Sequence, residues 1–125
     1  MVGIKDSLWW CIYKPKSIKR DIEIGRIRIE QFGAYWKYLS EFSIKRRFRN
    51  KHYGTSLLEN VVSYYDYNNL FLLTKIKNAR AIHIYEKLGF IQVKTTGKNN
   101  RWIIMAMTRD PEGFDFFKDI EYKGF

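Results

Sequence analysis

Cysteine is almost missing from this chain: Cys11 is the single one, which rules out an internal disulfide and any zinc site built from thiolates. Histidine is nearly as scarce, and His52 and His83 lie too far apart in the chain to make a metal set, so no structural metal is expected. No uncharged apolar run reaches the ~18 residues of a membrane span, and the first residues lack the basic, apolar and small-residue sections of a secretion signal. The expectation is a cytoplasmic protein with no membrane partner. Repeats, low-complexity tracts and linkers are absent too, so the 125 residues read as a single domain, 1–125. Carboxylates are the last shortage. Against 23 lysines and arginines stand 13 aspartates and glutamates, for a net charge of +10 and a pI near 9.7. Such a surplus attracts nucleic acid, acidic protein or a phosphorylated ligand, or it is simply a solvated surface; charge alone does not choose.

Apolar and aromatic residues are plentiful, at 46% and 18%, enough for a real core. "SLWWCIY" reads as a strand that ends at the loop "KPKS". "DIEIGRIRIEQF" reads as a second, with an alternation that slips phase at Gly25, as a β-bulge makes it do. "AYWKYLSEFSI" reads as a third, with Trp36, Tyr38, Ser40, Phe42 and Ile44 on one face. After Gly54, the spacing of Leu57, Leu58, Val61, Val62 and Tyr65 predicts a helix with Thr55 or Ser56 as its cap. "NNLFLLTKI" has the continuous apolar character of a strand buried on both faces, and "NARAIHIYEKLGF" predicts a helix closed by Gly89. "FIQVKTT", "GKNN" and "RWIIMAMTR" form an antiparallel hairpin. The tail, 110–125, carries Phe114, Phe116, Phe117, Tyr122 and Phe125 and packs on its own domain or on a partner.

The turn at residues 49–55 is a natural anion site. A helix start has amides without acceptors and partial positive charge, Arg49 and Lys51 add full charges, and Gly54 permits close backbone approach. His52 sits where a positive φ is required, which histidine tolerates better than most residues. Neither a Walker loop nor a dinucleotide glycine pattern is present, and a surface loop without a ligand would look similar.

Taken together, "FSIKRRFRNKHYGTSLLENV" and "NARAIHIYEKLGF" strongly resemble the GCN5-related N-acetyltransferase (GNAT) family, whose acyl-CoA site joins an Arg/Gln-x-x-Gly-x-Gly/Ala loop to an Asn-x-x-Ala-x-x-x-Tyr helix. The resemblance implies an α+β fold: a mixed, mostly antiparallel central sheet flanked by helices, with a V-shaped splay between strands 35–45 and 70–77. It implies acetyl-CoA as acyl donor, with Phe42, Ser43 and Ile44 pairing edge-on with the pantetheine arm and Asn50, Lys51, His52, Tyr53, Gly54 and Thr55 wrapping the pyrophosphate. Arg49 takes the position that opens the loop, Asn78 the one that holds the cofactor arm, and Tyr85 the one that often protonates the departing thiolate. On the residues alone Tyr85 reads equally as a core aromatic.

The chain departs from the family pattern in three places. His52 stands where the first loop glycine is usual. "LFLLTKI" carries no carboxylate to serve as base for the amine, which leaves Glu41 as the candidate, with a salt-bridge role as its alternative and Glu23, Glu30 and His83 as weaker options. Only "MVGIKD" precedes the first strand, so the resemblance is to a short form lacking the usual N-terminal strand and helices; a second subunit, in a homodimer, or the aromatic tail would have to supply that wall. The implied function is transfer of acetyl to a primary amine by direct attack in a ternary complex, the amine borne by an acidic carrier such as tRNA or an acidic protein. The alternative is a non-catalytic, degenerate GNAT fold that binds nucleic acid or protein through the cations and aromatics of "SIKRRFRNKHY".

Overall fold

A computed structural model describes residues 8–14 and 22–120. In chain order the elements are β1 (Leu8–Lys14), β2 (Ile22–Phe32), β3 (Trp36–Leu39), β4 (Ser43–Ile44), α1 (Tyr53–Tyr64), β5 (Leu70–Lys75), α2 (Ala79–Leu88), β6 (Ile91–Thr96) and β7 (Trp102–Met107). The strands make one mixed sheet, ordered β1-β2-β3-β5-β7-β6, with β4 continuing β3 along β2. Only β3 and β5 run parallel; every other pairing is antiparallel, as the expected α+β class requires.

Each face of the sheet has its own cover. On one, Ile27, Ile29, Leu39, Leu70, Leu72 and Met105 are buried beneath Leu57, Leu58, Val61 and Val62 of α1, the stripe that the helical spacing predicts. Helix α2 buries no residue completely and lays Ile82, Tyr85 and Leu88 against the margin of this core. On the other face, Trp36, Phe71, Ile104 and Ala106 are closed over by Phe117 from a 3-10 segment, Pro111–Phe117, with Phe114, Phe116 and Ile120 partly buried around it. Trp36 stacks on Phe116 at 5.7 Å and meets Phe117 edge-on at 4.7 Å. Burying one such ring contributes about 2–3 kcal/mol, so the segment is well held. Tyr122 and Phe125 lie outside the described residues.

Two bulges set the register around β2, and a third, at Val93, lies between β6 and β7. Ile12 pairs with Gly25 but Tyr13 pairs with Glu23, so Ile24 is the extra residue and the phase slip read at Gly25 is a bulge. The second one corrects the sequence reading. Residues 34–44 are not one continuous strand: Leu39 pairs with Ile29 but Ser43 pairs with Arg26, so three residues, 40–42, face only Arg28 and Ile27. A single extra residue reverses every side chain beyond it. Phe42 and Ile44 therefore pack with Leu39 on the α1 face, while Trp36 and Tyr38 stay on the opposite one.

The bulge also opens the sheet. Pairing between β3 and β5 is confined to Lys37 with Leu70 and Tyr38 with Phe71. Beyond it β4 follows β2 and leaves β5, which gives the expected V-shaped splay. Among the described residues no helix is long and apolar enough to cross a membrane.

Candidate functional site

The free edge of β4 lines one arm of the V. The Lys45 amide donates to the Ile24 carbonyl at 2.7 Å, so by alternation the backbone groups of Ser43 and Lys45 face β2, and those of Phe42 and Ile44 point into the V. The Ile44 carbonyl accepts from Arg49 Nε at 3.0 Å. Among the described residues the amide and carbonyl of Phe42 have no backbone partner. That edge can take an extended chain as an added strand.

From β4 the chain turns through a short 3-10 segment, Arg46–Phe48, pinned by buried Phe48, whose ring meets Tyr53 edge-on at 6.1 Å. The backbone then reverses through left-handed residues, Asn50 at φ 63° and His52 at φ 66°. The positive φ expected at His52 is there. The cap expected at Thr55 or Ser56 is not: α1 begins at Tyr53, with His52 in the N-cap position and no side chain capping it, because the reversal at Asn50 and His52 starts the helix early enough to put both hydroxyl residues inside its first turn. The His52 carbonyl accepts from the Ser56 amide at 3.0 Å, which leaves the amides of Tyr53, Gly54 and Thr55 without an intrahelical acceptor. No acidic residue occupies that turn, and Lys45, Arg46, Arg47, Arg49 and Lys51 precede it. The result is a concentrated positive potential at the helix start.

Gly54 joins this loop to the V. A Cβ at that position would stand 3.4 Å from both Ile44 Cγ1 and Phe42 Cζ, so α1 begins packed closely against the side chains of the β4 edge.

The second arm is β5 and the helix after it. Asn78 is exposed and caps α2, its Oδ1 accepting from the Ala81 amide at 3.2 Å, which leaves its side-chain NH2 for another partner. Tyr85, two turns on, is half-buried with its ring edge-on to Phe90 at 6.1 Å. Burial pushes its phenol above the usual tyrosine range, so it keeps its proton at neutral pH. Among the described residues its hydroxyl has no hydrogen-bond partner. Gly89 closes the helix at φ 112°, as expected.

Glu41 sits in the bulge itself. Its Oε2 accepts from Arg28 Nη1 at 3.0 Å, and Arg28 rises from the sheet face opposite Ile27 and Ile29. Glu41 and Tyr85 therefore lie on opposite faces of the sheet with the V between them. Glu23 and Glu30 stand on β2 and His83 is exposed on α2. The fold thus brings residues 42–44, the 49–55 loop and Asn78 to the end of the sheet where β4 and β5 both terminate, while Tyr85 lies two turns back along α2, against Phe90. Arg28, which sequence reasoning missed, holds Glu41; only the cross-strand register reveals that pairing. A surface cleft of about 400 Å³ between β1 and α1, lined by Trp10, Ile12, Leu57, Asn60 and Tyr64, contains none of these residues.

Residues 5–92 match the family model described as an acetyltransferase (GNAT) domain. No curated protein matches the chain. Among solved structures, a spermidine N-acetyltransferase variant from Vibrio cholerae superposes with a TM-score of 0.68 at 14% identity, over 87% of this chain and 68% of that one. The NatC complex bound to Gag peptide and CoA gives a TM-score of 0.62 at 19% identity, over 79% and 68%. Ard1 from Thermoplasma volcanium gives 0.59 at 20% identity, over 70% of this chain; the match spans 65% of the length of the Ard1 chain. At these identities the structural likeness shows a shared fold.

Proposed function

The chain belongs to the GNAT acetyltransferase family, and from that premise we propose that it moves an acetyl group from acetyl-CoA to a primary amine by direct attack within a ternary complex. One observation carries the proposal: an unpaired β4 edge runs straight into an uncapped, cation-flanked helix start, with Gly54 between them. An extended arm ending in a diphosphate matches that sequence of groups. Along the Phe42–Ser43–Ile44 edge, the backbone groups of Phe42 and the Ile44 amide, which point into the V, pair with the pantetheine amides, while Ser43 stays paired to β2; the amides of residues 50–55 hold the pyrophosphate with Arg49 and Lys51 beside them. His52 supplies, as a non-glycine residue, the left-handed turn that aims those amides. Asn78 turns its free NH2 to the arm while its oxygen caps α2.

Acetyl-CoA supplies the thioester whose carbonyl carbon the amine attacks. Tyr85, kept protonated by burial, donates its phenolic proton to the departing sulfur. Glu41, approached from the opposite face, takes the proton that the amine must lose, directly or through water. In this reading residues 1–125 act as one acyltransferase unit. The reading is tested by following thiol release from acetyl-CoA with a panel of amines: peptide N-termini, polyamines and aminoacylated RNA. Turnover with at least one class is expected. Saturable acetyl-CoA binding with no turnover on any class would leave the non-catalytic binding module instead.

A further inference from the structure

The sheet register gathers a second set of cations that the acetyl-CoA reading does not use. Lys75 pairs with Trp102, and the Ile76 amide donates to the Arg101 carbonyl at 2.8 Å, so the turn after β5 and the turn between β6 and β7 lie side by side. Together with the start of α2 they carry Lys75, Lys77, Arg80, Lys98 and Arg101. Residues 75–85 and 97–101 contain no carboxylate, and neither do residues 45–55. Both cationic segments therefore stand at the end of the sheet where the V opens, one on each arm. At the other end stand Asp66, in an ion pair with Arg109, and Asp110, Glu112 and Asp115 near it in sequence or register. Residues 45–55 on one arm and 75–80 with 97–101 on the other thus make a positive pole at the mouth of the V.

The loop before α1 accounts for one half of that pole if it holds the diphosphate. On the far arm the acetyl-transfer reading uses only Asn78 and Tyr85 and leaves Lys75, Lys77, Lys98 and Arg101 with no part in it. We infer that Lys75, Lys77, Lys98 and Arg101 form a phosphate-binding surface for RNA, which carries the acceptor amine into the V; the acceptor role rests on the acetyl-transfer reading above. The chemistry of the patch favours RNA over other anions. Point charges alternate with amide side chains at Asn99 and Asn100, held outward in left-handed backbone at φ 59° and 51°. Trp102 lies under the Lys75 ammonium, 5.8 Å from its ring centre, a flat surface beside the charges. Ile76, 45% exposed, is the single large apolar group exposed in these turns, too little to enter a bilayer. In the reaction a C–N bond forms between the RNA-borne amine and the acetyl carbon as the C–S bond breaks. The amine's proton leaves to Glu41 or water, and the thiolate takes the Tyr85 proton.

The test uses the full chain with Lys77, Lys98 and Arg101 all changed to alanine. Fluorescence anisotropy follows binding of unfractionated tRNA across a salt series, with poly-glutamate and anionic phospholipid vesicles as parallel probes, while calorimetry follows acetyl-CoA. Losing three phosphate contacts should lower the slope of log K against log salt by about 2–3 and weaken RNA binding roughly 100-fold at 0.15 M salt, with acetyl-CoA affinity unchanged. Thiol release should need RNA that bears a free amine. Wild-type and variant binding RNA alike, or a wild type that prefers poly-glutamate or vesicles to RNA, would overturn the inference. If RNA binds as expected but acetyl-CoA does not, the acetyl-transfer reading fails, and the acceptor role with it, while the RNA surface stands.

Discussion

Alanine at Gly25 should be among the most damaging single-methyl changes in this protein. The position lies at the first bulge, where β2 passes closest to β4, and an added Cβ would overlap Ile44 Cδ1 and stand 2.6 Å from the Ser43 carbonyl oxygen, inside the distance real Cβ atoms keep. The Ile44 side chain can rotate away; the Ser43 backbone cannot without giving up its pairing with Arg26. Overpacking of this kind costs about 1–3 kcal/mol, and a clash with backbone puts Gly25→Ala in the upper half of that range. For a domain of this size the loss corresponds to a fall in Tm of roughly 10 °C. Thermal and urea unfolding of the variant measure it. A double change with Ile44→Ala separates the two contacts: it removes the side-chain overlap and leaves the carbonyl one. It should therefore be less destabilised than the sum of the single changes by about 1 kcal/mol, and still well below wild type. A Gly25→Ala protein within 2 °C of wild type, or strict additivity with Ile44→Ala, would refute the close approach of β2 and β4 and the geometry of the V derived from it.

Other changes probe the site residues. Tyr85→Phe keeps the ring on Phe90 and removes the proton donor, so turnover should fall about 100-fold while acetyl-CoA affinity stays within twofold; unchanged turnover would take Tyr85 out of the acid role. At Asn78 cap and ligand contact can be separated. Asn78→Ala should lose about 1 kcal/mol of stability, whereas Asn78→Ser, which can still accept from the Ala81 amide, should hold its stability and lose acetyl-CoA affinity; equal affinity in Asn78→Ser would make the residue a cap alone. Burial raises the phenols of both Tyr65 and Tyr85, so the unfolded chain releases those protons first as pH climbs past ~10. Stability should be level below that pH and decline above it, through the raised folded-state values. Urea unfolding as a function of pH should show a shallower alkaline decline when both residues are phenylalanine, and an unchanged decline would contradict the burial of these hydroxyls.

Much of this architecture is legible in the residues because its elements are locally determined. The α1 stripe, the Gly89 cap, the hairpin at 97–101 and the bulge at Gly25 each leave a periodicity or a glycine that marks them. The bulge at residues 40–42 leaves none. Ser40, Glu41 and Phe42 continue the alternation of β3 on paper, and only the competition between the α1 core and the tail aromatics decides that Phe42 and Ile44 go to one side and Trp36 to the other. The start of α1 was misjudged for a related reason. Thr55 and Ser56 are good capping residue types, but the turn is made by Asn50 and His52, whose left-handed backbone is a weaker signal than a hydroxyl before an apolar run. Tyr85 and Asn78 are candidates because they match the spacing of a family motif. The Arg28–Glu41 pair and the gathering of Lys75 with Arg101 depend on which strands are neighbours, and the order β3-β5-β7-β6 is written in no local pattern.

The central claim is that the β4 edge and the uncapped start of α1 together form an acetyl-CoA site. Isothermal titration of the chain with acetyl-CoA tests it most directly, run beside Gly54→Trp, in which an indole would fill the space next to Phe42 and Ile44, with each protein's unfolding temperature recorded. Saturable one-to-one binding by the wild type, weakened more than tenfold in a Gly54→Trp protein that remains folded, is the predicted result. No binding by the wild type, or equal binding by the folded variant, would contradict the account.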